Sequence, residues 1–400
     1  MSKQSRGLVI TNLFPNSAQK TRGMFVWHEI QQLKQYYDLK VISPLPWVPP
    51  LLRSNPRYAY QAADAFKLQN GVECYYPRYV ITPRLMRSMY GHLMYWGIRR
   101  CVQKIINSWS PDFVIAYYAF PDGFAGLSCA RSLNVPVLVK ILGSDVNVFT
   151  RNRFRRWMTH YTLCNADRVV TVSKALKKRT VSLGVPEENI SVVTNGVDRE
   201  KFYPRDRKEC RERLGLPSLP FMFIFIGNMI TTKGVDILLD AFELIPTNLR
   251  AKGCLVMVGG GDRDQEILRR IKQPNLAPFV FKFPPVLHSH IPLWLGASDC
   301  LILPSFAEGY PNVLVESLAC GKPVIASDVG GIPEIVEHGK NGILIPSGNR
   351  ESLVKAMISF LHDRPQKYEI QTNVRTWSDV AEDMRLEIRG MFSGEQDWRK

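Results

Sequence analysis

The 400-residue sequence is notable first for what it lacks. Its eight cysteines, at 74, 101, 129, 164, 210, 254, 300 and 320, include no C-x-x-C pair. Several fall in apolar runs, which suits reduced core thiols and argues against a disulfide framework or a zinc site. No apolar run approaches the ~20 residues of a membrane span, and the opening MSKQSRGLVITNLF is too short in apolar length for a signal peptide. These absences lead to the expectation of a cytoplasmic, soluble or peripheral protein. Repeats and low-complexity segments are missing, which excludes solenoids and disordered arrays. No Ser-His-Asp or Cys-His set is visible, and no complete G-x-G-x-x-G.

What is present is basic charge, unevenly spread. The net charge is +16; residues 1–200 carry 27 Lys and Arg against 12 Asp and Glu, and residues 201–400 carry 25 against 24. An anionic surface facing the first half is the implied partner. No recognition motif accompanies the charge, so nucleic acid is not expected. Apolar runs such as Gly7–Leu13, Phe113–Tyr117, Phe221–Ile226 and Leu255–Val258 alternate with helical stretches, the pattern of parallel α/β sheets. Residues 44–85, with seven prolines, read as irregular, and the charged stretch Tyr203–Pro220 as a linker.

The chemistry concentrates in residues 300–334. Cys300–Leu303 is a short apolar run ended by Pro304; Asn312 is placed to cap a helix from Val313 to Cys320, which Gly321 stops. A helix N-terminus beyond a strand's carboxyl end suits phosphate or sugar hydroxyls. Glu308 and Glu316 flank it, as hydroxyl-gripping carboxylates or as two ordinary surface acids. The string E-G-Y-P-N-V-L-V-E, with A-C-G-K-P-V-I-A and G-G-I-P-E after it, resembles the E-x7-E signature of the retaining glycosyltransferase family 4.

That resemblance implies an α/β, GT-B fold: two Rossmann-like parallel-sheet domains facing a central cleft. Residues 1–203 would bind the acceptor and 204–376 the nucleotide sugar, while 377–400 would hold a helix crossing back to the first domain. It implies a hexosyltransferase-type enzyme that moves sugar from a nucleoside-diphosphate sugar to a saccharide acceptor, preferentially lipid-linked, in cell-surface polysaccharide or glycolipid synthesis. A GT-B-fold epimerase and an inactive scaffold are the alternatives. Glu316 would hold the ribose, and Glu308 with the backbone of Gly309, Tyr310, Asn312, Val313 and Leu314 the sugar. Val286 would lie near the base. Gly227, Asn228 and Lys233, in a G-x5-K-G frame, would meet the diphosphate, with Lys233 and Glu308 as catalytic groups. Asn228 stands where many relatives have Arg.

On the acceptor side the resemblance implicates Gly23, which equally suits a plain turn. Leu142 stands where relatives often have His, so Lys140 or Asp145 would supply the missing contact. Asp145 would orient the acceptor hydroxyl as a catalytic residue, or else cap a helix. Asp262-Arg263-Asp264 looks like a metal motif but follows a glycine turn; no metal or other cofactor is expected. His288 and His290 lack partners at metal spacing and read as surface loop residues. Finally, Arg84, Arg87, Arg99 and Arg100 interleave with Met86, Met89, Tyr90, Met94, Tyr95 and Trp96, and Arg155 and Arg156 adjoin Trp157. Such a composition can dock an anionic membrane at the inner face of the plasma membrane, or form an ordinary core with a solvated basic face.

Overall fold

The computed structural model describes residues 4–49, 60–81, 87–216, 221–362, 368–370 and 372–392. It divides into two compact units, residues 1–195 with 377–400, and residues 196–376. The chain enters the second unit at Gly196, earlier than the expected boundary at 203. Val197 and Phe202 already pack into the second core, and the Val197 N–H donates to the Arg375 carbonyl at 2.9 Å.

The first unit holds β1 (Arg6–Ile10), β2 (Asp38–Ile42), β3 (Leu45–Trp47), β4 (Phe66–Gln69), β5 (Val72–Tyr75), β6 (Arg78–Val80), β7 (Phe113–Tyr117), β8 (Val137–Ile141), β9 (Arg168–Thr171) and β10 (Ile190–Val192). Among the described residues its main sheet runs β10-β9-β8-β7-β1-β2-β5-β4. The pairings are parallel except β4–β5. β7 and β8 are buried along their whole length, as strands covered on both faces must be. The segment expected to be irregular therefore contributes four strands. Its antiparallel hairpin turns at Asn70-Gly71, both with positive φ, the Asn-Gly turn that suits the twist of paired strands. The helix Trp377–Gly390 packs on the helix Met24–Leu33 inside this unit, burying Trp377, Val380, Met384 and Ile388.

The second unit holds β11 (Phe221–Ile226), β12 (Gly253–Val258), β13 (Val280–Phe283), β14 (Cys300–Leu303), β15 (Val324–Ser327) and β16 (Gly342–Ile345). They form a parallel sheet in the order β13-β12-β11-β14-β15-β16. The stretch expected to be a linker contains the helix Arg207–Arg213, tied into this unit. Cys210 is buried in the core, and Arg211 Nη2 meets Asp299 Oδ2 at 2.8 Å, with Arg207 on the other oxygen of that carboxylate. Among the described residues no helix is long and apolar enough to cross a membrane.

Candidate active site

In an open parallel sheet, loops diverge where strand order reverses, leaving a crevice beyond the carboxyl ends of the two strands there. In the second unit the reversal lies between β11 and β14. The loop after β11 carries Gly227, Asn228 and Lys233; the loop after β14 carries Glu308, Gly309 and Tyr310. Topology thus brings together two segments that lie far apart in sequence.

Two glycines allow that approach. Gly234 adopts φ +70°, and a Cβ there would lie 2.0 Å from the Pro304 carbonyl oxygen. Only glycine lets the β11 loop press so closely on the end of β14. Gly330, at φ +55°, would place a Cβ 2.0 Å from the Glu308 carbonyl oxygen, and the Gly331 N–H donates to the Gly309 carbonyl at 3.1 Å. The G-G of the G-G-I-P-E string therefore supports the Glu308 loop from behind. Lys233 Nζ then sits 2.6 Å from Glu308 Oε1, and Ser305 Oγ donates to the same oxygen at 2.6 Å. Asn228 is exposed at the rim, while Val286 and Tyr310 are half-buried against the core.

The helix beyond this loop runs Asn312–Ala319, with Pro311 at its N-cap. The expectation that Asn312 caps it is corrected: Asn312 is the first helical residue. The Leu314 N–H, expected to face a ligand, donates to the Pro311 carbonyl at 3.1 Å. Glu316, one turn in, is buried, and its Oε1 lies 2.8 Å from His288 Nε2. His288 was expected on the surface. Instead its ring is tilted against Phe202 at 5.3 Å, inside the unit. Burial alone lowers its pKa, but the hydrogen bond and charge of Glu316 outweigh that and raise it above 6.5. No sequence spacing signals a contact between residues 28 apart on a loop and a helix. Asp264 begins the helix Asp264–Arg270 and faces Lys282 at 3.3 Å, while Arg263 pairs with Asp236 at 2.7 Å.

The two family models that match the chain divide it much as these units do. "Glycosyltransferase Family 4" matches residues 34–201 and "Glycosyl transferases group 1" residues 206–377. The chain belongs to glycosyltransferase family 4. A glycosyltransferase attributed to teichuronic acid biosynthesis in Bacillus subtilis is 26% identical over 382 residues, 91% of each chain. The sucrose-phosphate synthase of Thermosynechococcus elongatus, at 19% identity, shares the fold with a TM-score of 0.80, covering 98% of this chain and all of its own. HepE of Anabaena, solved with UDP and glucose, matches with a TM-score of 0.70 at 18% identity, covering 97% of each chain. The fold of this glycosyltransferase is GT-B, with two Rossmann-like parallel-sheet domains.

The first unit of the glycosyltransferase has its own reversal, between β1 and β7. There the Asn12 side chain donates to Asp122 Oδ2 at 2.9 Å, its backbone N–H donates to Oδ1, and Arg22 Nε donates to the Asn12 carbonyl at 2.8 Å. Burial pushes the Asp122 carboxyl up to about 8 against those amide bonds. Tyr118, at φ +83°, directly follows β7 in a conformation rare for a side-chain-bearing residue, and its hydroxyl meets Ser144. The sequence reading missed Asn12, Tyr118 and Asp122. Positive φ marks Tyr118, and the paired hydrogen bonds to a buried carboxyl mark Asn12 and Asp122.

Two expectations on this side, for Lys140 and Asp145, are corrected. Lys140 is 0% exposed and Glu29 1%; Lys140 Nζ meets Glu29 Oε2 at 2.6 Å, and the Tyr117 hydroxyl donates to Oε1 at 2.9 Å. A lysine sealed into that pair cannot touch an acceptor. Asp145 is fully buried, accepting from the N–H groups of Ala119 (2.9 Å), Gly143 (2.8 Å) and Leu142 (3.4 Å). Sealed from solvent, it ties two loops together and accepts from the Val146 N–H, while Gly143, not Asp145, is the N-cap of the helix Ser144–Asn147. Gly23, at φ +60°, is required because a Cβ would lie 2.1 Å from the Leu13 carbonyl.

The basic helix forms as Tyr90–Ile106, preceded by a 3-10 turn at Arg87–Met89. Its aromatic and methionine residues divide. Met94 is core, contrary to the membrane-facing expectation, whereas Trp96 is 60% exposed beside exposed Arg99 and Arg100. Arg84 lies outside the described residues, as does the Arg87 side chain. On the helix Arg153–Cys164, Phe154 and Trp157 are 50% and 57% exposed and Arg156 is exposed; Arg155 lies over the Phe149 ring at 5.4 Å.

Proposed function

We propose that this glycosyltransferase is a retaining, metal-independent enzyme. It transfers a hexose from a nucleoside-diphosphate sugar to a saccharide carried on a lipid, in the synthesis of a cell-surface polysaccharide or glycolipid. The observation that carries the reading is the meeting of Lys233 and Glu308 across the β11/β14 reversal, in the loop that leads into the helix carrying Glu316.

In this reading Glu316 accepts hydrogen bonds from the ribose hydroxyls, and Val286 packs on the base. Glu308 and the backbone of Gly309 to Val313 hold the sugar. Lys233, Asn228 and the start of the helix Asn312–Ala319 face the diphosphate. As the bond from the sugar's anomeric carbon to the diphosphate oxygen breaks, negative charge grows on that oxygen. A fixed ammonium and helix terminus stabilise that charge without rearranging. The acceptor oxygen attacks from the face the diphosphate leaves, and its proton passes to the departing phosphate. No protein nucleophile is required. HepE was solved with UDP and glucose, which supports a donor of this class.

The β1/β7 crevice, with Asn12, Tyr118 and Asp122, is the acceptor side. Exposed Trp96, Phe154 and Trp157 among arginines give this unit a surface suited to anionic headgroups at the inner face of the plasma membrane. The direct test incubates the protein with a panel of nucleotide sugars and follows release of nucleoside diphosphate. Release from one donor, by slow hydrolysis or faster with acceptor, is expected. Epimerisation without release, or no turnover of any donor, overturns the reading.

A further inference from the structure

The assignment of Glu316 to the ribose leaves open what holds that carboxylate in place. It sits on the buried side of the helix Asn312–Ala319, among Leu314, Val315 and Leu318. An acidic side chain in such surroundings swings toward solvent or toward a partner. The structure supplies the partner from another loop. His288 lies in the 3-10 turn His288–His290 after β13, and its Nε2 is 2.8 Å from Glu316 Oε1. The imidazole in turn leans on Phe202, with Asp198 and Lys201 of the same segment acting on its charge. Phe202 is buried in the core, so the support is anchored at its far end.

We propose that His288 is a positioning residue for donor binding. It holds Glu316 Oε1 from behind, so that the carboxylate is set in advance to accept the ribose hydroxyls. This rests on the reading that Glu316 grips the ribose. The consequence is specific: His288 matters only to ligands that carry ribose hydroxyls. Nε2 donates to Oε1 whether the ring is charged or neutral with its proton on that nitrogen. The hydrogen bond therefore persists across neutral pH. Fixing the carboxylate before the ligand arrives removes the ordering cost from the binding step.

The test measures, by calorimetry, the affinity for whichever of UDP, GDP and ADP the wild type binds most tightly. It is repeated with the 2′,3′-dideoxy form of that nucleotide, on wild type, His288→Ala, His288→Gln and Glu316→Ala. His288→Ala is expected to weaken the ribonucleotide by roughly three- to tenfold, the scale of ordering one long side chain, and to leave the dideoxynucleotide unchanged. His288→Gln, whose amide can donate from near the Nε2 position, should recover most of the loss. In a Glu316→Ala background, His288→Ala should add nothing. An equal loss for both nucleotides would mean that His288 only supports the fold and would overturn the proposal, as would no loss at all. If Glu316→Ala itself fails to distinguish the two nucleotides, the ribose reading of Glu316 falls. If Glu316→Ala distinguishes them and His288→Ala does not, the positioning role alone falls.

Discussion

Lys233 Nζ and Glu308 Oε1 lie 2.6 Å apart, although 75 residues separate them in the chain. Their loops leave β11 and β14, the two strands between which the sheet order reverses. The contact therefore follows from topology as much as from either side chain. It places a cation at the mouth of the crevice where a parallel sheet binds its ligand.

Removing the cation should slow transfer more than it harms the fold. Lys233 is half-buried at a loop, so Lys233→Ala should leave the denaturant midpoint nearly unchanged. It should lower kcat/KM by about 10²–10³-fold, the scale of losing one preorganised group that stabilises developing charge. Steady-state kinetics beside a urea curve checks both.

Transfer should persist in excess EDTA. Asp264 faces Lys282 and Arg263 pairs with Asp236, so one of the two D-x-D carboxylates already has a cationic partner. Neutralisation of the leaving diphosphate then falls to Lys233 and the helix terminus. Activity lost in EDTA and restored by magnesium or manganese would contradict this.

Vesicle co-sedimentation reads the basic unit. Binding should require anionic lipid, fall with salt, and weaken in the triple variant Arg99→Ser, Arg100→Ser, Arg156→Ser. At about 1 kcal/mol per basic residue near an anionic leaflet, the loss is roughly 100-fold. Equal binding to neutral vesicles, or none to either kind, assigns the charge another purpose.

The His288–Glu316 pair should also appear in stability against pH. The folded-state pKa of His288 is raised, so the folded protein holds this proton more tightly than the unfolded chain. That contribution is complete below 6.5 and is lost as pH rises through the raised value. The stability advantage of wild type over His288→Gln should be full below about pH 6.5 and shrink as pH rises above it in urea titrations. An advantage that grows with pH would contradict the pair.

Much of the second unit was legible because its signals are local. Cys300–Leu303 is unbroken by polar residues, Pro304 ends it, and Gly321, at φ +71°, stops the helix that follows. The helix Arg207–Arg213 was not legible, because RKECRER carries almost no apolar period and is held by Arg207 and Arg211 on Asp299, about 90 residues away. The hairpin of β4 and β5 could have been read from Asn70-Gly71, a signal obscured by the prolines around it. Lys140 was misplaced for a different reason. A lysine beside a loop reads as exposed unless its partner is known, and Glu29 lies 111 residues earlier. His288 and Glu316 meet only through the fold.

The anomeric configuration of the product reports directly on transfer with retention from a nucleotide sugar. The enzyme is supplied with an α-linked nucleoside-diphosphate hexose chosen from the donor panel and a lipid-linked saccharide acceptor, and the purified product is examined by NMR. An α-glycoside formed with one nucleoside diphosphate released per transfer is the predicted result. A β-glycoside would contradict same-face attack, and with it the mechanism built on Lys233, Glu308 and the helix Asn312–Ala319.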